Sequence, residues 1–215
     1  LPSARPGHVV LEVAAAGICG TDLHIYRNEY ASNPPVILGH EVCGRVSELG
    51  AGVDAALSGR RVVCETFFST CGQCRYCREG RPNMCGSRKS IGSHVNGAMA
   101  RFVEIPARNL HVVSGHLSDA EASLAEPVAC VANSLFGEVS YVEPGDRVLV
   151  TGPGTIGLLA AQVARIAGGN VTVRGTQDDA VRLAMAKTLG FEISTVGDDL
   201  GEACFDKCIE CSGSG

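Results

Sequence analysis

The sequence predicts an α/β chain in two parts: a small, partly open β-barrel, then the first part of a doubly wound parallel sheet. Three observations carry this prediction. Short apolar stretches punctuated by glycines fill the first half of the chain. A short β run, a Gly-x-Gly-x-x-Gly turn and a long helical stretch follow one another from Arg147. Beyond them β and α patterns alternate, as strands of a parallel sheet require.

The elements follow in order. His8–Ala16 reads as a strand, and Val42–Leu49 as another. Gly44, Gly50, Gly52 and Gly59 mark bends or bulges between them and two further short strands, at 61–65 and 100–106. A helix is expected over 117–136, with Ser118 as N-cap and Glu121 completing a capping box. Glu126-Pro127 falls inside it and predicts a break or a fresh helix start there. Pro144-Gly145-Asp146 is a turn, and Arg147–Thr151 a strand. The Gly-rich turn covers Gly152, Pro153, Gly154, Thr155, Ile156 and Gly157, and a helix runs on to Ala167. Gly168 and Gly169 end that helix. A strand over 171–174, a helix over 179–189 and strands near 192–196 and 207–211 complete the pattern. No repeat or low-complexity run interrupts it.

Composition narrows the function classes. The 215 residues are 45% hydrophobic and 19% charged, with a net charge of -5, so there is no electrostatic support for nucleic acid or an anionic membrane as partner. No apolar run approaches the ~20 residues of a membrane helix, and no signal peptide is read. Both ends read as cut from something longer. Eleven cysteines, an odd number without an export signal, favour metal thiolates over a disulfide framework.

Two cysteine-bearing stretches carry chemistry. Cys19, His40 and Glu41 place a thiolate, an imidazole and a carboxylate in one short span, a donor set that suits zinc and leaves room for water or substrate. Thr21 and His24 lie three apart and share a face if the stretch is helical, which suggests a proton relay beside the metal. Cys71, Cys74, Cys77 and Cys85 follow C-x2-C-x2-C-x7-C in a loop rich in glycine. Four thiolates close a tetrahedral shell, so this loop reads as a structural zinc site without catalytic role; an iron–sulfur cluster is the rival.

The Gly152–Pro153–Gly154 turn, in its strand–helix context, reads as a dinucleotide site, with Gly152, Gly154, Thr155, Ile156 and Gly157 holding a pyrophosphate at a helix N-terminus. After the next strand a carboxylate usually meets the ribose of NAD. Here Arg174, Gly175 and Thr176 stand instead. Arg174 or Thr176 could meet a 2′-phosphate, which tilts the choice toward NADP without closing it.

With these motifs quoted, the chain resembles the zinc-dependent medium-chain dehydrogenases (the alcohol dehydrogenase family), nearest to the sorbitol and threonine dehydrogenase branch. The matching residues are Gly17 to His24, Gly39-His40-Glu41, the four-cysteine loop, Gly97 to Val103, Glu126-Pro127 and the glycine-rich turn. The resemblance implies a GroES-like catalytic domain over 1–127 and the first part of a Rossmann domain over 128–215, with only about four of six strands present. It implies two zinc ions per chain and NAD or NADP. It assigns Cys19, His40, Glu41 and Glu126 to the catalytic zinc, leaving open which of the two glutamates binds directly. Asp22 becomes the acceptor that orients His40, and Thr21 and His24 the proton relay. The implied reaction moves hydride between a secondary alcohol, polyol or threonine-like hydroxyl and the nicotinamide, in a cytoplasmic homo-oligomer, dimer or tetramer. A non-catalytic zinc-binding module and a zinc-free quinone reductase are the alternatives. Arg60 departs from the family's usual Gly-Asp-Arg, Cys43, Cys64 and Cys130 read as small buried residues, and Cys204, Cys208 and Cys211 are not expected to form a third site.

Overall fold

The computed structural model describes residues 1–137 and 142–213. It divides into two compact units, residues 1–126 and 127–215.

The first unit begins with strand β1 (His8–Ala16), helix α1 (Gly20–Tyr26) and strand β2 (Val42–Leu49). Strands β3 (Arg61–Cys64) and β4 (Phe67–Ser69), the one-turn helix α2 (Arg75–Arg78) and strands β5 (Lys89–Ser90), β6 (Phe102–Pro106) and β7 (Leu110–Val112) follow. Five of these form an antiparallel sheet in the order β6-β1-β2-β3-β7, and β4 pairs with β5. Period-two alternation explains which side chains enter the core. Val9 lies opposite Ile105 and Leu11 opposite Val103, all four buried among Val42, Val46 and Val62. Register shifts in the β1–β2 pairing, between Val10 and Leu11 and between Val13 and Ala15, bend the sheet toward an open barrel. The GroES-like expectation is met in this unit.

Helix α3 (Asp119–Ser123) starts where expected, with Ser118 and Glu121 exchanging capping hydrogen bonds. The expected break is also found, one step earlier than Glu126: the chain turns at Leu124 and helix α4 (Ala125–Leu135) begins anew. Pro127 thus sits in a first turn, where its missing N–H leaves no helical bond unmade.

In the second unit β8 (Arg147–Thr151), α5 (Thr155–Ile166), β9 (Asn170–Gly175), α6 (Ala180–Thr188), β10 (Glu192–Thr195) and β11 (Lys207–Glu210) alternate as predicted. The four strands are parallel, in the order β10-β9-β8-β11. Chain order reverses between β8 and β11, the switch point at which doubly wound sheets bind ligands. Val148, Val150, Val171 and Val173 line one face and pack against Ala161 and Ala164 of α5 and Leu183 and Ala186 of α6. Among the described residues, no helix is long and apolar enough to cross a membrane.

β4, β5 and β7 were not foreseen. Strands of two or three residues carry too little periodicity to be read.

Candidate metal centre and nucleotide loop

Cys19 is the N-cap of α1, in extended conformation, so its side chain leaves the chain just before the helix begins. His40 and Glu41 precede β2. One ligand atom from each of Cys19, His40 and Glu41 lies within 4.8 Å of the others. Tetrahedral donors about 2.0–2.3 Å from one ion stand about 3.3–3.8 Å apart, which this limit admits, and a thiolate, an imidazole and a carboxylate are donors zinc takes, so the set fits zinc. The group is assembled by backbone as much as by side chains. A Cβ on Gly17 would lie 2.0 Å from Glu41 Oε2, so only glycine leaves that carboxylate its place. Gly39 has φ +96, and a Cβ on Gly97 would stand 2.1 Å from the Gly39 carbonyl oxygen. Two bare backbones therefore cross immediately before His40.

Asp22 locks the arrangement. It is 2% exposed. Its Oδ2 accepts the Cys19 N–H (2.9 Å), and its Oδ1 accepts the Gly39 N–H (3.0 Å) and stands 3.6 Å from His40 Nδ1. A carboxylate near Nδ1 favours a proton there and leaves Nε2 free for a metal.

The electrostatics are those of a coupled set. The Cys19 thiol is held below its ordinary value, first by its hydrogen bond with His40, then against burial by the Thr21 backbone and hydroxyl. Burial pushes the His40 imidazole down, but the Cys19 thiolate with Asp22 and Glu126 outweighs it and raises the ring to about 9. Burial raises Glu41, and His40 opposes it.

Thr21, His40 and Glu126 line one cavity of about 180 Å3. Glu126 thus faces the same space as His40 without belonging to the close group of three. His24 is not among the residues around that cavity: it is exposed, and its Nδ1 pairs with Glu29 Oε2 at 2.7 Å. The sequence did not point to Glu29, nor to Arg88, Ser90, Thr66 and Tyr30, which line the cavity too. Nothing in their spacing marks them; they come together only through the fold.

The four-cysteine loop closes as expected. Cys71 Sγ is 4.0 Å from Cys77 Sγ and 3.6 Å from Cys85 Sγ, and all four sulfurs lie within 4.8 Å. Zinc–sulfur bonds of about 2.3 Å put tetrahedral sulfurs about 3.8 Å apart, so the cage fits a single zinc. A multi-iron cluster would interpose sulfides and spread the thiolates. Backbone N–H groups of Gln73 and Cys74 draw the Cys71 thiol down to about 6, while burial pushes Cys77 up to about 11. Cys204, Cys208 and Cys211 do not gather: the described residues contain only these two candidate metal groups.

In the second unit Gly154 caps α5 in extended conformation, with open space where a Cβ would stand. Gly157 has none: its Cβ would lie 1.9 Å from the Gly152 carbonyl oxygen. Thr155 and Ile156 are exposed on the first turn, whose N–H groups have no helical acceptor. This fits a pyrophosphate. At the end of β9, Arg174 donates to the Asp198 carbonyl oxygen (3.2 Å), and the Thr176 N–H and hydroxyl both reach Asp179 Oδ2 (3.0 and 2.9 Å). Gly175 occupies the strand end, and Asp179 turns back toward it from the following turn.

Comparison with known proteins now applies. The alcohol dehydrogenase GroES-like domain matches residues 5–115. The chain belongs to the zinc-dependent medium-chain alcohol dehydrogenase family. Among relatives, the D-arabitol-phosphate dehydrogenase of Enterococcus avium is 39% identical over the whole of this chain and 64% of its own length. The sorbitol dehydrogenase of Halalkalibacterium halodurans is 40% identical, over 99% of this chain and 65% of its own. A zinc-binding dehydrogenase from Sinorhizobium meliloti, solved with NADP, superposes with a TM-score of 0.89 at 34% identity, covering 99% of this chain and 65% of its own. The chain spans a little under two thirds of the length of the curated relatives it matches.

Proposed function

We propose that the protein to which this chain belongs is a zinc-dependent oxidoreductase that moves hydride between a secondary alcohol or polyol and NAD or NADP. The observation that carries the reading is the close grouping of Cys19, His40 and Glu41, with His40 opening on a cavity that Thr21 and Glu126 also line. The names of the relatives support the substrate class.

Cys19, His40 and Glu41 would hold the catalytic zinc, with Glu126 as the second carboxylate of the cavity. Cys71, Cys74, Cys77 and Cys85 would hold a second zinc that only braces its loop. When bound, the first ion acts as a Lewis acid on the alcohol and the nicotinamide accepts hydride. The remaining work belongs to the chain. Asp22 fixes the aim of His40 and the N-cap of α1 together. Thr21 Oγ1, on the cavity wall, takes the alcohol proton. His24, exposed and held at Nδ1 by Glu29, passes a proton to solvent through Nε2. Gly154, Thr155, Ile156 and Gly157 bind the pyrophosphate. The missing carboxylate at Gly175, with Arg174 beside it, favours NADP over NAD; among the solved relatives one holds NADP and another NADH.

The test uses the full-length protein. Metal analysis should return two zinc per chain, where a non-catalytic zinc module would return one. Polyols, threonine and simple secondary alcohols are then assayed with each cofactor. Turnover of none of them would overturn the reading, and a clear preference for NAD would overturn the cofactor preference.

A further inference from the structure

We infer that the substrate carries a phosphate ester, recognised by Arg88 in the cavity that His40 of the metal group lines; the inference rests on the dehydrogenase reading and deepens it. Arg88 and Ser90 line the same cavity as His40 and Glu126. An arginine guanidinium is a permanent cation with five N–H donors. The hydrogen bond recorded for Arg88's side chain is one from Nη1 to the Asn83 carbonyl oxygen, at 3.0 Å. Among the described residues no carboxylate forms an ion pair with it. A neutral polyol has no use for such a cation; an anionic group does.

A second observation points the same way. The Ser90 hydroxyl is buried and has no hydrogen-bond partner. A native structure leaves few such groups without a reason, because each costs about 1–3 kcal/mol. Thr66 and Tyr30 add two more hydroxyls to the lining. One cation and several hydroxyl donors suit a phosphate, with its three terminal acceptor oxygens, better than a planar carboxylate with two. Charge also sets the direction in which the substrate lies. The Glu126 carboxylate repels an ester dianion and Arg88 attracts it, so the reacting hydroxyl falls to His40 and the ester to Arg88. A cavity of about 180 Å3 suits a small polyol ester.

Arg88 is also well braced. Its backbone N–H donates to the Cys85 carbonyl oxygen (3.0 Å), and the adjoining strand β5 pairs with β4. The cage segment thereby anchors the Arg88 backbone, and the Asn83 carbonyl oxygen holds the guanidinium.

The test compares a pentitol, its terminal phosphate ester and the aldonic acid of the same length, on the full-length zinc-loaded protein. The ester should exceed the pentitol in kcat/KM by about 100-fold, chiefly through KM, as charge-assisted hydrogen bonds allow. Arg88→Gln should erase most of that ratio, and Arg88→Lys should recover part of it. A wild-type ratio near one, a ratio unmoved by Arg88→Gln, or a preference for the aldonic acid would each overturn the inference while leaving the dehydrogenase standing. Calorimetric titration with inorganic phosphate provides a readout without turnover: wild type binds it and Arg88→Gln does not. If no pentitol derivative is oxidised, this titration alone decides Arg88, equal binding by both proteins refuting the inference; the dehydrogenase reading fails only if the other alcohols are not turned over either.

Discussion

Asp22→Asn is the sharpest perturbation of the metal centre, because the change is isosteric and its cost is set by geometry. The aspartate has two oxygens and each is committed: Oδ2 to the Cys19 N–H, Oδ1 to the Gly39 N–H and the His40 ring. An amide has one oxygen and one NH2. Placing its oxygen at the Oδ1 position saves two partners and sets the NH2 against the Cys19 N–H. Placing it at Oδ2 opposes donors at both Gly39 and His40. The first orientation wins, and the loss falls on the N-cap that carries the thiolate. One charge-assisted hydrogen bond goes, at about 1.5–3 kcal/mol, and burial at 2% exposure prevents water from replacing it. The loosened seat of the Cys19 thiolate should cost about 10–100-fold in zinc affinity. Competition with a chelator reads the affinity, and urea unfolding of the metal-free protein reads the stability. Wild-type values in both would refute the bridging role of Asp22.

Cys19→Ser should halve the metal content, leaving the four-cysteine ion in place and abolishing turnover; two zinc ions with full activity would remove Cys19 from the site. Gly17→Ala should displace the Glu41 carboxylate, since the new methyl would stand 2.0 Å from its oxygen, and lower zinc affinity at least tenfold with the four-cysteine ion retained; unaltered affinity would show that Glu41 is not needed. Glu104 tests a pH dependence. Burial raises its carboxyl, but the hydrogen bonds and charge of Arg5 outweigh it and hold it below 4.5. Its folded value lies below its unfolded one, so its stabilisation is present above about pH 4.5 and is lost as pH falls through the folded value. The urea midpoints of wild type and Glu104→Gln should therefore differ at neutral pH and converge in acid; a gap that widens in acid would reverse the sign.

The parts legible in the sequence are those whose cause is local. The capping box at Ser118, the apolar run of β1 and the strand–turn–helix at Gly152 each report their own geometry within a few residues. The four-cysteine loop is legible because its spacing alone closes a shell. Asp22 was named through resemblance, yet its grip on the Gly39 N–H crosses 17 positions and is visible only once folded. The cavity lining was not legible at all. Tyr30, Thr66, Arg88 and Ser90 come from separate segments and follow no period. Asp179 was passed over for a similar reason: a carboxylate after the strand end reads as a helix start, not as a group that turns back on Thr176.

The crossing of Gly39 and Gly97 has a consequence for how such a protein can change over generations. The course of the chain into His40 is dictated by main chain against main chain, and Asp22, buried away from the substrate, adds the side-chain hold on the ring. Residues facing the substrate can therefore be exchanged one at a time without disturbing the metal's coordination. Chemistry and selectivity are thus decoupled in the architecture itself, and new substrates can be tried while the reaction is kept.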